Sequence, residues 1–505
     1  MIRASSAALA VLLGCLVTAA EIPVPRIWDD AALAEWATPV AGLNVRPAHY
    51  SSAEYYASPE ENLRTYPVYH PDSEPSGYWE WLQRQKPEPL VDIHTIRQDA
   101  DWIDAGARAF RDIDAVLLRT NDPAVIAQAR DPRNFEGLFK LPDGSAFGAR
   151  WVVTTQGVML TVPACANCHV STAADGSLVF GGPGGARRAS PAPFGIRGLP
   201  FAGPAGTMRR LQLFYVGDPA PTAFWREFTT PWAPDDRVER TRTMTLGSFV
   251  GREDLGRAFS GGMFARQNGS PYHPTKIMDL QNLRDSRYLD ATATHRLRGP
   301  GDVARYTALV TGADRLDFGP HRILTDQQRK VRFHYADAVL YAIGSYLLSL
   351  EPPHNPTPAP REVLNRGEQI FRRETCANCH VPPTYTSGKL TLAGEWTPPL
   401  NHVNRDDILP VSVGTDSGAA LRTRKGTGFY KIPSLRGVWY RPLLLHDGSF
   451  KTLEEMFDPA RLESAATASD STTRTRGRRA SGGHPFGLSL TTDERQVLLA
   501  FLRSL

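Results

Sequence analysis

At 505 residues the chain is too long for one hydrophobic core, and its length suggests about three domains. Hydrophobic residues make up 41% and charged residues 22%, an ordinary soluble globular composition. A formal charge of +4 is too balanced for nucleic-acid binding, and 42 glycines with 41 prolines favour long irregular connections over regular bundles.

Residues 1–20 read as an export signal, with Arg3, an apolar run from Ala7 to Thr18 and small residues around Ala19 and Ala20. A run that short cannot span a bilayer, and no other stretch is apolar enough to form a transmembrane segment. Lipid attachment at Cys15 is the lesser alternative, since Leu13 fits such a signal poorly. Residues 21–98, rich in Pro and Tyr, look like an irregular segment wrapping the rest. "DAGARAFRDID" then places Gly106 and Phe110 four apart on one helix face. After it, "FGARWVVTTQGVMLTVP" joins two β-branched runs through a Gln-Gly turn and predicts a hairpin.

The pentapeptide CANCH stands at 165–169 and again at 376–380, and no other cysteine occurs past residue 15. C-x-x-C-H is the attachment signature of c-type haem, with both thiols bonded to the porphyrin and the histidine below the iron. Cys165, Cys168, Cys376 and Cys379 are thus candidates for covalent attachment of two haems, with His169 and His380 as proximal ligands. A zinc ribbon would need the two pairs close together and has no use for either histidine. A thioredoxin-like pair needs no following histidine, and C-x-x-C disulfides close loops too small to stabilise much. Attachment of c-type haem takes place outside the cytoplasmic membrane, which agrees with export and points to the periplasm.

The Gly/Pro-rich stretch 179–206 reads as a surface loop or as a channel wall over the first haem. Residues 331–350 predict an amphipathic helix stopped by Pro352 and Pro353. "NRGEQIFRRETCANCH" repeats the earlier spacing in Gly367 and Phe371 and leads into the second motif. "DERQVLLAFLRSL" (493–505) is a shorter closing helix. Helix, C-x-x-C-H and closing helix therefore occur twice, so the chain reads as a duplicated cytochrome. The first haem domain is placed at 99–352 and the second at 353–505. The basic run "RTRGRR" (474–479) lies in a Ser/Thr/Gly-rich stretch and reads as a solvated loop. The fold expected is mainly α with extensive irregular loops and a minor β-hairpin.

The order of these motifs, followed by Pro433-Ser434-Leu435-Arg436, His446-Asp447-Gly448 and Thr452-Leu453-Glu454, resembles the bacterial di-haem cytochrome c peroxidases. That resemblance covers the second half well and the first only through its C-x-x-C-H and the overall order. It implies that the N-terminal haem is the reactive one, with Arg436 near a propionate and His446 near a haem edge. Peroxidases carry a methionine ligand for the second haem about where Ala460 stands, and nearby Met456 falls on the apolar face of its helix. The C-terminal "GHPFGLSLTTDERQVLLAFLRSL" instead resembles the di-haem rubber oxygenases, which implies His484 as the second axial ligand of that haem. Gly483 and Pro485 suit a sharp bend there. Calcium, known between the haems of the peroxidases, has no residue pattern here.

The candidates opposite His169 are His273, His295, His321, His334, Met208, Met244, Met263 and Met278. His295, polar-flanked in "LDATATHRLRG", is the catalytic candidate of most interest. The function expected is an exported di-haem electron-transfer protein turning over peroxide or dioxygen at the first haem. Its electrons would come from a small redox protein or a quinone-linked donor. The alternatives are a non-catalytic electron carrier and a haem oxygenase of a hydrophobic organic substrate.

Overall fold

The computed structural model describes residues 23–505 except 136–139, 167, 174–175, 185–229, 233–262, 265–272, 274, 395 and 463–481. The export signal, Cys15, Met208, Met244, the basic run and most of the Gly/Pro-rich stretch lie outside the described residues.

Helix α1 (Asp99–Asp112) opens on an acidic turn, where Asp101 accepts from the backbone N–H groups of Arg97 at 2.8 Å and Gln98 at 3.2 Å. It crosses α3 (Asp337–Ser349) at Gly106, where an added Cβ would lie 1.9 Å from the Ala342 carbonyl oxygen. Glycine permits that approach, and Phe110 one turn on packs against Tyr346. Between them in sequence, α2 (Pro300–Ala308) starts with proline at its first turn and lies against α3 at Gly344.

The second motif repeats the device. Helix α4 (Arg361–Arg373) crosses α5 (Thr492–Leu502) at Gly367, where a Cβ would stand 2.4 Å from Phe501 Cβ and 2.7 Å from the Val497 carbonyl oxygen. Phe371 stacks on Phe501 with ring centroids 5.5 Å apart. Each G-x-x-x-F pair in the sequence is therefore a helix-crossing contact, and each crossing stands beside one C-x-x-C-H.

The expected hairpin is present. Strands β2 (Ser145–Thr154) and β3 (Gly157–Thr161) pair antiparallel with Thr154 opposite Gly157, whose φ of +105° suits glycine. The turn residues are Thr155 and Gln156, one position earlier than the Gln-Gly reading. Strand β1 (Thr65–Tyr69) extends the pair into a three-stranded sheet in the order β1-β2-β3. A second small sheet has β4 (Leu390–Leu392) between β5 (Ile408–Ser412) and β6 (Phe429–Lys431).

Two expectations are corrected by packing. The closing helix predicted over 331–350 begins only at Asp337, because His334 and Tyr335 pair in parallel with Glu60 and Glu61. Ser58 Oγ lies 2.9 Å from His334 Nδ1, and Tyr56 donates to Asp337 at 2.8 Å. Residues after 22 also do more than wrap. Ile27, Trp28 and Trp36 are fully buried in the core that contains α1, α2 and α3. Trp36 Nε1 donates to the Arg296 carbonyl at 3.0 Å. Among the described residues no helix is long and apolar enough to cross a membrane.

Candidate haem sites

At the first motif the chain leaves β3 and turns tightly, with the N–H groups of Cys168 and His169 donating to the Cys165 carbonyl at 3.1 and 3.0 Å. Cys165, Cys168 and His169 line one cavity of about 230 Å³. Its apolar walls include Phe110 of α1, Val303 of α2 and Leu347 of α3, so the crossing at Gly106 holds it open. Residues from the second half close it, among them Ala419, Thr423 and Lys425. His169 Nδ1 lies 3.1 Å from the Met278 carbonyl oxygen, which can only accept. The proton is therefore on Nδ1, and Nε2 is the basic nitrogen that an iron requires.

Two partly buried lysines face this cavity. Lys276 Nζ donates to the Leu443 carbonyl at 2.9 Å and Lys431 Nζ to the Tyr288 carbonyl at 3.1 Å. Neither forms an ion pair with a carboxylate of the described residues, and loss of water pushes both ammonium groups down to about 8. Carboxylates act on both from a distance, Asp279 and Asp447 on Lys276 and Asp290 on Lys431, but desolvation outweighs them, so the cavity suits an anionic occupant beside the ammonium groups. A flat apolar macrocycle bearing two carboxylates fits the apolar walls, the lysines and the two thiols together. Lys431→Met should accordingly stabilise the chain made without haem by about 1 kcal/mol and destabilise the haem-loaded chain. Opposite shifts in melting temperature would show it.

Opposite in character to the lysines is a cluster absent from the sequence-based candidates. Asp290 accepts from Lys425 Nζ at 2.6 Å and from the Tyr306 hydroxyl, while Lys425 Nζ also donates to Tyr306 at 3.1 Å. All three line the cavity. Burial alone would raise Asp290, but the Lys425 charge and the Tyr306 hydroxyl outweigh it and hold the carboxyl well below the usual range.

At the second motif α4 ends and the chain turns through Thr375 at φ +61°. His380 N–H then donates to the Cys376 carbonyl at 2.9 Å. His380 Nδ1 stands 3.1 Å from the carbonyl oxygens of both Tyr385 and Pro433. The Pro433–Arg436 run thus orients the imidazole, and Ser434 Oγ anchors the run by donating to the Thr384 carbonyl at 2.6 Å. Desolvation pushes His380 down to about 4.

His484 follows Gly483, whose φ is +64°. Desolvation, then the charge of His380, then that of Arg461 push His484 down to about 4. His380 thus opposes protonation of His484, and both imidazoles are held in the neutral form that binds metals. His484 Nδ1 is buried with no hydrogen-bond partner, while the backbone carbonyl of His484 accepts from Arg461. Met456 is 7% exposed and packs with Leu453 and Leu498. Its Cε lies 3.3 Å from where a Gly483 Cβ would stand, so it supports the turn that carries His484.

The other expected residues fall elsewhere. Arg436 has its guanidinium engaged by Asp285 at 3.1 Å and Glu351 at 2.5 Å. His446 is not on the cavity wall but one layer behind it, where its carbonyl accepts from Lys276 N–H at 2.9 Å and its ring lies 4.4 Å from Tyr430. With Asp416 and Asp447 it forms the one group of three metal-type side chains among the described residues, and none of the cysteines belongs to it. None of the four cysteines is joined in a disulfide. His295 does not reach the first cavity. It is buried, its ring tilted against Trp36 with centroids 4.2 Å apart, behind Thr294 and Asp290. His273 and Met278 do line the cavity. His321 stacks on Trp232 instead, and His334 meets Ser58.

No protein-family model and no curated protein matches this chain. Among solved structures, hydrazine synthase from Kuenenia stuttgartiensis, studied under 20 bar xenon, is 16% identical. That alignment covers 57% of this chain and 88% of the other, with a TM-score of 0.27. The di-haem peroxidase BthA from Burkholderia thailandensis is 18% identical, covering 57% and 86%, with a TM-score of 0.23. A single-substitution variant of it is 20% identical, covering 46% and 65%, with a TM-score of 0.20. None of these three is a rubber oxygenase. Superpositions this loose carry no argument about the chemistry of this chain.

Proposed function

We propose that the chain is an exported di-haem c-type cytochrome of the periplasm that acts as a redox enzyme. The first haem, held through Cys165, Cys168 and His169, meets peroxide or dioxygen. The second, held through Cys376, Cys379, His380 and His484, passes in electrons from a small redox protein or a quinone-linked donor. The observation that carries this reading is an asymmetry between the two motifs. A cavity of about 230 Å³ with a polar wall adjoins the first, whereas a second neutral imidazole adjoins the second.

A c-type haem supplies iron that cycles between ferric and ferrous states and, where a coordination position is open, takes up a small oxygen ligand. The chain's own residues supply the rest. Lys276 and Lys431 offset propionate charge at the first site. His169, oriented by Met278, presents a basic nitrogen. Lys425 and Tyr306, both bonded to the Asp290 carboxylate, hold ionisable protons on the wall of the same cavity, where the reduction of peroxide to two waters consumes two protons with two electrons.

One observation favours the electron-carrier alternative. His273 is 7% exposed and lies on the cavity wall, its ring against Gly418, where a Cβ would stand 2.1 Å from Nδ1. If it closed the first iron, no reactive position would remain. Titration with cyanide in the ferric state and carbon monoxide in the ferrous state separates the readings. The enzyme reading expects one haem of the two to bind each ligand. Refusal of both ligands by both haems would leave an electron carrier.

A further inference from the structure

The Asp290 cluster continues away from the cavity as an ordered hydrogen-bond chain. Asp290 is an ionised acceptor, so the Thr294 hydroxyl donates to it, at 3.2 Å. Having spent its proton there, Thr294 Oγ1 can only accept from His295 Nδ1, 3.0 Å away. His295 therefore carries its proton on Nδ1 and presents Nε2 as a bare acceptor. That Nε2 is buried and has no hydrogen-bond partner.

His49 Nε2 is also buried and without a partner, and the two rings stand 5.7 Å apart. Both line a second, small cavity of about 20 Å³ that also touches Tyr306 and Lys425. A buried nitrogen left unpaired costs about 1–3 kcal/mol. A cavity of this size has room for one water, and the bare nitrogens of His49 and His295 would be its polar partners. A metal cation is disfavoured, because Arg424 and Lys425 line the same space and Asp314 is the one carboxylate among its lining residues.

We propose that a water bound between His49 and His295 starts a proton relay that runs through His295, Thr294 and Asp290 to Tyr306 and Lys425 on the wall of the first haem cavity. For each proton passed, the water takes one from solvent and gives one to His295 Nε2, while Nδ1 gives one to Thr294 Oγ1. The Thr294 hydroxyl proton moves to Asp290, which returns one to Tyr306 or Lys425 as that group releases its own into the cavity. No relay group ends with a changed charge, and no electron moves along the path. Peroxide or dioxygen being reduced in the cavity is the acceptor, so the relay's use in turnover rests on the function proposed above. The buried threonine and both histidines act by handing on protons and touch no substrate.

The test uses the haem-loaded full chain and Thr294→Val, which removes the hydroxyl link at nearly constant volume. Haem one is reduced rapidly and proton uptake is followed with an indicator dye, beside turnover with peroxide. Thr294→Val is expected to slow proton uptake at least about tenfold, with Thr294→Ser restoring it, while both haem spectra and carbon monoxide affinity stay unchanged. His49→Phe, which removes one water partner and leaves the Thr294 bonds, should slow uptake similarly and decides the matter if Thr294→Val does not fold. Wild-type uptake rates in either folded variant, or no uptake by the unaltered protein, would overturn the relay. Failure of haem one to bind carbon monoxide or to react with peroxide would instead sink the enzyme reading, with proton uptake still judging the relay.

Discussion

Replacing His484 by alanine should turn the one low-spin ferric signature high-spin, with both haems still attached. Attachment depends on the thioether cysteines, which the substitution leaves in place. Loss of the imidazole removes a strong-field ligand from the second iron and lets its ferrous form become relatively more stable, so its potential should rise. The structural warrant is the charge of His380 acting on His484, together with the partnerless buried Nδ1 of His484. Retention of both native spectra would show that His484 is not a ligand. Met456 would then be the next candidate, and its placement beneath the Gly483 turn would have to be abandoned.

The second large effect is expected at Gly106. An alanine there would drive its Cβ to 1.9 Å from the Ala342 carbonyl oxygen, which is helix backbone and cannot swing aside. The α1–α3 crossing must open, at a cost of about 3 kcal/mol, a large share of the roughly 5–15 kcal/mol that stabilises a domain. Gly367→Ala should behave alike at the second crossing, where Val497 and Phe501 stand in the way. Gly299→Ala is the control, since nothing lies within 4 Å of the Cβ it would add. Thermal melts of the three variants test this, and a neutral Gly106→Ala would mean that the crossing does not depend on close contact at that point.

The paired Gly/Phe helix faces were legible in the sequence because their signal is local, although the crossings they make were not. G-x-x-x-F marks one face of one helix, and its repetition before each C-x-x-C-H exposes the pairing. The hairpin was legible for the same reason, as two β-branched runs joined by a short turn. The polar wall of the first cavity was not. Asp290 and Lys425 come from segments far apart in the chain, and neither "LDATATH" nor "TRKGTG" has a spacing that announces a shared ion pair. His295 drew notice for its polar neighbours, but its position behind Asp290 follows from packing against Trp36, a contact between distant parts of the chain. Arg436 was read toward a propionate because guanidinium suits propionate and protein carboxylate equally well, and only the packing brings Asp285 and Glu351 to it. His334 was assigned to a helix by its apolar neighbours, and the edge offered by Glu60 and Glu61 draws it into a bridge instead.

The central claim is that one protein carries two covalent haems of unlike coordination, the first open and the second closed. An electron paramagnetic resonance spectrum of the oxidised, mature protein tests it most directly, with the haem count fixed by mass under denaturing conditions. The expected result is a mass excess of two haem groups and two signals of equal weight, one high-spin and one low-spin. Two low-spin signals, or a chain whose mass shows no bound porphyrin, would contradict it.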